Sequence, residues 1–231
     1  MLCKGGLAQD TVMGDGILVL DRQGRQIWKW TVFDEMDPLS DDSILQRKKD
    51  WTHANSLAFD KDGNYLISFY NNDFYNKGQI WKVDATNGNV IWKFGRSGDF
   101  EIPPEAVFDQ VHSVHLNNKG WLMVFDNGAT KKRSRSLAFT LNVHSKKAQP
   151  VLNVWLPPQL FTPRMGSSYL VNDTSLLICA SLHKTVVLTN MQGAVLWKLK
   201  SNRIESYRAE FIPAEMLAPY LNKLFYQAKN K

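Results

Sequence analysis

The residues of this chain with the most chemistry in them are five histidines, His53, His112, His115, His144 and His183, and a short cationic run at Lys131, Lys132, Arg133 and Arg135. An imidazole titrates near neutrality, so it can attack as a lone-pair nucleophile, accept a proton or donate one. None of the five stands with Cys or Asp at the spacing of a zinc motif, and no Gly-rich stretch has the form of a phosphate loop, so no metal is expected. His53 follows Trp51 at the start of an apolar run, with Asn55 two residues on, and His112 opens a second such run. Strand alternation puts His115 on the face opposite His112, as a surface or structural residue. His144 falls in the polar turn Asn142 to Lys146 and is expected in solvent, and His183 lies in a turn between strands. The cationic run lacks interleaved aromatics, so it reads first as a solvated loop and not as a base-stacking surface. Asp126-Asn127-Gly128 just before it reads as a turn, with a channel-lining role for Asn127 as the sharper alternative.

The elements that must carry these side chains are hairpins. Gly16 to Trp28, Gln79 to Trp92, Thr185 to Trp197 and, more loosely, Leu137 to Trp155 share one phrase: a β-rich run, a polar turn, then an apolar residue before Trp. The Asp/Asn and Gly of these turns suit tight hairpins, because Gly adopts a positive φ at little cost. A second phrase precedes three of them, at His53 to Ser68, His112 to Asp126 and Gly166 to Ala180. Two hairpins per repeat make a four-stranded unit, and the spacing fits propeller blades of roughly 40 to 50 residues with loop insertions. About four blade equivalents fit, the first without its leading hairpin. The repeated Trp residues are expected in the core. Thr31 to Asp50 reads as a long loop and Gly95 to Pro104 as a shorter one. Met216, Leu217, Tyr220, Leu221, Leu224 and Phe225 recur at helical spacing, which predicts a short C-terminal helix over about 214–226.

Composition agrees with one all-β domain over residues 1–231. The chain is 44% hydrophobic and 12% aromatic, enough to bury a core and inconsistent with a disordered tail. Its 28 Lys and Arg against 22 Asp and Glu give +6, a field that attracts anions. Two cysteines are too few for a disulfide scaffold. No apolar run reaches the length of a membrane span, and Met1 to Gly16 has no apolar core of a secretory signal.

Several pieces stand in a telling order: Asp50 to Ser56 with its His53-Ala54-Asn55, Trp92-Lys93-Phe94-Gly95, Ser97 to Phe100, Gln110-Val111-His112 running to Phe125-Asp126-Asn127-Gly128, and Tyr207-Arg208-Ala209. Together they resemble the bacterial arylsulfotransferases over roughly residues 16–215. The resemblance implies a six-bladed β-propeller, of which this chain would be an N-terminally incomplete part, with a closed ring of four as the alternative. It also implies transfer of a sulfuryl group from an aryl sulfate ester to a phenol through a histidine intermediate. Neither a nucleotide donor nor another cofactor is implied, and the partners are small molecules, not nucleic acid. By that resemblance His53 and His112 take channel positions and His183 is the loose candidate for the covalent histidine. Asn55, Tyr70, Asn127, Arg133 and Arg135 would bind substrate, and the compartment would be the periplasm or cell envelope.

Such chemistry spreads charge over equatorial oxygens, so it needs preorganised cations or N–H donors around the sulfur, as phosphoryl transfer does. Here the sequence departs from the family. Tyr70 replaces an Arg after Ser68-Phe69, and Thr130 stands where an Arg tends to follow Asp-Asn-Gly. These departures sustain a competing expectation, a non-catalytic propeller that binds a ligand or partner.

Overall fold

A computed structural model describes residues 10–70 and 78–220. The chain is all-β, built from antiparallel hairpins, three of whose turns share one device. Asp21 Oδ1 accepts from the amides of Gln23 and Arg25, Asn117 Oδ1 from Lys119 and Trp121, and Asn190 Oδ1 from Gln192 and Ala194. A glycine with positive φ completes each turn, Gly24 at 80°, Gly120 at 76° and Gly193 at 82°.

The described residues form fourteen strands. β1 (Gly16–Leu20) and β2 (Gln26–Thr31) form a two-stranded sheet. β3 (Ala54–Phe59), β4 (Tyr65–Phe69), β5 (Gln79–Val83) and β6 (Val90–Gly95) form a four-stranded meander. β7 (Val111–Leu116), β8 (Leu122–Asp126), β9 (Arg135–Asn142) and β10 (Lys147–Trp155) form a second. β11 (Ser167–Asn172), β12 (Ser175–Ala180), β13 (Thr185–Asn190) and β14 (Val195–Lys200) form a third. Every hairpin phrase read in the sequence is one of these strand pairs.

Alternation along the strands builds the cores between consecutive sheets. Ile67, Phe69 and Trp81 face Ile17 and Trp30 of the two-stranded sheet, whereas Leu66 and Ile80 face Val124, Leu137 and Phe139. Met123, Phe125 and Ala138 in turn meet Leu176, Ile178 and Val187. Burying each such side chain contributes about 1.5–3 kcal/mol, so the stack is held chiefly by these layers. The first strands β3, β7 and β11 approach one another in succession.

Two expectations change. Residues 31–50 are not a plain loop: they hold two 3-10 turns and a short helix, α1 (Ile44–Arg47). Asp41 organises this segment by accepting from Trp51 Nε1 at 2.9 Å and pairing with Arg47 at 2.5 Å. Burial alone would raise its pKa, but hydrogen bonds from Ser43 and Trp51 and the Arg47 charge win and lower it. The repeated tryptophans are not all core: Trp92 is buried, Trp28 and Trp155 are half-buried, and Trp197 is 51% exposed. Among the described residues no sheet covers the β14 face that carries Trp197 and Leu199. At the C-terminus residues 214–220 are helical, and the rest of the expected helix, 221–226, lies outside the described residues. No described helix is long and apolar enough to cross a membrane.

Candidate functional site

In each four-stranded meander the start of the first strand pairs with the end of the second: Ala54 with Phe69, Val111 with Asp126, Ser167 with Cys179. One edge of each sheet therefore presents His53 and Tyr70, His112 and Asn127, and Gly166. Side chains tie these edges together. Asn55 donates Nδ2–H to the Val111 carbonyl at 2.8 Å while its Oδ1 accepts from Ser68 at 2.6 Å. Tyr70 donates its hydroxyl to the Pro163 carbonyl at 2.6 Å, and Asn127 donates to the carbonyls of Thr162 and Met165, both at 2.8 Å.

His112 is 3% exposed, and its Nδ1 lies 2.9 Å from the Gly166 carbonyl. A carbonyl only accepts, so Nδ1 carries the proton and Nε2 keeps the lone pair. Burial depresses its pKa to about 4 against the hydrogen bond to Gly166, with the charges of Arg208 and His53 adding to the depression. His112 is thus a neutral imidazole at pH 7, close enough to His53 and Arg208 to feel both. The Tyr207 ring meets it edge-on at 5.1 Å.

His53 precedes β3 with φ at 52°, a left-handed backbone conformation that is costly for a non-glycine residue. Its Nδ1 pairs with Asp50 Oδ2 at 2.5 Å, which orients the ring, and Tyr70 packs on it at 5.2 Å. Burial, with Asp109 nearby, raises the Tyr70 pKa and keeps it a phenol.

His115 overturns the alternation argument. Ser113 takes φ 51° and forms a bulge, so that His112 pairs with Phe125 while His115 pairs with Met123. Phe125 and Met123 point to one face, and both histidines follow them. His115 stacks on Tyr169 at 4.4 Å, and burial, reinforced by Arg208, lowers its pKa.

The cation beside these rings is Arg208, which arrives from beyond β14. Residues 206–209 fold back over β11: the Tyr207 carbonyl accepts from Gly166 N at 3.1 Å and Ser181 Oγ at 3.1 Å, and Ala209 exchanges two bonds with Ser167 Oγ. Arg208 Nη2 then reaches the Asn55 carbonyl at 3.3 Å, 153 positions away in sequence. In the sequence Tyr207-Arg208-Ala209 stands only as part of a resemblance, with no role for Arg208. Nothing in local pattern reveals a return of that span.

The other named residues stand apart. Arg135 is fully buried: Nε meets Asp126 at 2.8 Å, Nη1 meets Glu105 O at 2.6 Å and Nη2 meets Val107 O at 2.6 Å. Arg133 Nε donates to Leu156 O at 2.9 Å, and both guanidinium groups, with Lys131, surround the Trp155 ring. His183 ends a 3-10 turn and donates Nε2–H to Phe161 O at 2.7 Å. No described contact joins it to His53 or His112. His144 is exposed in the β9–β10 turn. Among the described residues no cluster of three His, Cys, Asp or Glu could hold a metal.

Among solved structures, the chain is similar to a protein of unknown function from Bacteroides caccae, with a TM-score of 0.54 and 13% identity. That match covers 88% of this chain and 61% of the other, a likeness of fold in which this chain spans less than two thirds of its relative's length. No curated protein matches it. The family model described as Arylsulfotransferase (ASST) matches residues 4–203, a span that contains the whole run from the first hairpin to the end of β14. The chain belongs to the arylsulfotransferase family.

Proposed function

We propose that this protein transfers a sulfuryl group from an aryl sulfate ester to a phenolic acceptor, with His112 as the carrier. The observation that carries this reading is the fixed tautomer of a buried, neutral His112, whose Nε2 lone pair has no described hydrogen-bond partner. In the first half-reaction Nε2 attacks sulfur, the S–O bond to the aryl group breaks, and the phenolate departs and takes its proton from solvent. In the second, His53 accepts the proton of the incoming phenol, whose oxygen attacks sulfur as the N–S bond breaks. Asp50 orients His53 and stabilises its imidazolium. Tyr70 and Tyr207, packed on the two imidazoles, form aromatic walls for the aryl groups.

In this reading Asn55 and Asn127 position the strand edges through their carbonyl contacts. Arg133 and Arg135, bonded to backbone carbonyls, brace the β10 edge, and His112 takes the carrier role in place of His183. The sheets are blades of an incomplete six-bladed propeller forming one domain; the approach of β3, β7 and β11 and the cores between consecutive sheets support this arrangement. By the family's precedent the protein works in the periplasm or cell envelope.

The test is incubation with an aryl sulfate and a phenol, followed by mass spectrometry for an acid-labile sulfohistidine. Transfer with the adduct on His112, absent in His112→Asn, is expected. Neither adduct nor turnover would leave the competing reading, a binding module without catalysis.

A further inference from the structure

Arg208 is a pinned cation with donors to spare. Its neighbours Tyr207 and Ala209 are hydrogen-bonded to β11 and the residues beside it, yet the guanidinium itself makes one hydrogen bond, from Nη2 to the Asn55 carbonyl. Nη1 stands 4.0 Å from Glu210 Oε1, and the buried Nε–H meets no acceptor. A planar guanidinium offers five N–H donors suited to an oxyanion, and the partly exposed Nη groups keep donors beyond the one bond to Asn55. Arg135 makes the contrast, since its Nε, Nη1 and Nη2 all meet protein acceptors.

Resting on the sulfuryl-transfer reading, we propose that Arg208 is the anion-binding residue of this site, seating a monoanionic sulfate ester beside His112 and selecting it over dianionic phosphate esters. The selection follows from counting charge. Arg208 and His53 are the charges that act on His112, and burial keeps His112 and His115 neutral near pH 7 and above. The reacting nitrogen therefore has one permanent positive charge next to it. A sulfate monoester brings one negative charge, which Arg208 neutralises. A phosphate monoester above neutral pH brings two, and the second would enter a partly desolvated site without a partner. Glu210 on the Nη1 side and Asp50 behind His53 add negative charge and disfavour it further. Near Tyr70, Arg164 and Asp109 offset one another.

The probe is para-nitrobenzenesulfonate, a monoanion whose sulfur is bonded to carbon and cannot be transferred, with para-nitrophenylphosphonate as its dianionic counterpart. Calorimetry near pH 8 on the 231-residue chain should show the sulfonate binding wild type at least about tenfold more tightly than the phosphonate. Arg208→Gln should weaken sulfonate binding about 10- to 100-fold, and Arg208→Lys should fall between, with circular dichroism confirming the fold. Sulfonate affinity within twofold in Arg208→Gln, equal affinity for the phosphonate, or no sulfonate binding by wild type would each overturn the proposal. If Arg208→Gln does not fold, Arg208→Lys and the wild-type sulfonate-to-phosphonate ratio decide it. The two readings fail separately: an Arg208-dependent sulfonate site in a protein that forms no sulfohistidine sinks the transfer reaction alone. Adduct formation with binding indifferent to Arg208 sinks only the anion site.

Discussion

Acidification should cost this protein stability through His112, by an amount the site itself sets. Unfolded, the imidazole has its ordinary pKa of 6.5; folded, burial holds it at about 4. The folded pKa is the lower one, so between these values the unfolded chain binds a proton that the native state refuses. The contribution is intact above 6.5 and drains away as pH falls toward 4. At 1.36 kcal/mol per unit, two and a half units amount to about 3 kcal/mol, a large share of a typical domain's stability. The perturbation is His112→Asn, whose amide can still donate to the Gly166 carbonyl but does not titrate. Urea unfolding from pH 7 to pH 4 gives the difference in stability between wild type and variant, in which other titrating groups cancel. His115, whose pKa is lowered by burial too, stays in both proteins and leaves a shared slope. The difference should shrink by about 3 kcal/mol across the range. Parallel curves would refute the reasoning, because they would mean that His112 is as easily protonated folded as unfolded.

Arg135→Met should destabilise the fold by about 3–5 kcal/mol, because it strands a buried Asp126 whose pKa burial already raises. Chemical denaturation reads this, and a stable variant with weakened sulfonate binding would instead put Arg135 in the site. Ser113→Gly should raise stability by up to about 1 kcal/mol, since it relieves a positive φ. A melting temperature that falls would show that the serine side chain contributes to the bulge.

The hairpins were legible because their causes are local. An Asx side chain capping two amides and a glycine with positive φ lie within five residues of each other, as at Asp21 to Arg25 and Asn190 to Ala194, and apolar alternation marks the strands on either side. The site was legible only in part. His53 and His112 were visible at the starts of strands, but period-two alternation counts residues, and the extra residue at Ser113 carries His115 to the face that counting denied it. Arg133 and Arg135 looked like free cations because a sequence does not display the Glu105, Val107 and Leu156 carbonyls that hold them. The tryptophan repeat foretold strands but not what covers them. Trp92 is enclosed by Phe100 and its neighbours, whereas Trp197, at the same place in the repeat, is open to solvent.

The long reach from Arg208 to Asn55 also sets the order in which competence arises during folding. Each meander can zip from its own turns, since its strands are neighbours in the chain and close short loops. The guanidinium has no place to dock until β3 and β11 are both formed, across 153 positions. A chain that has completed every hairpin up to β14 therefore holds its imidazoles in register but is still without the Arg208 cation until residues 206–209 fold back over β11.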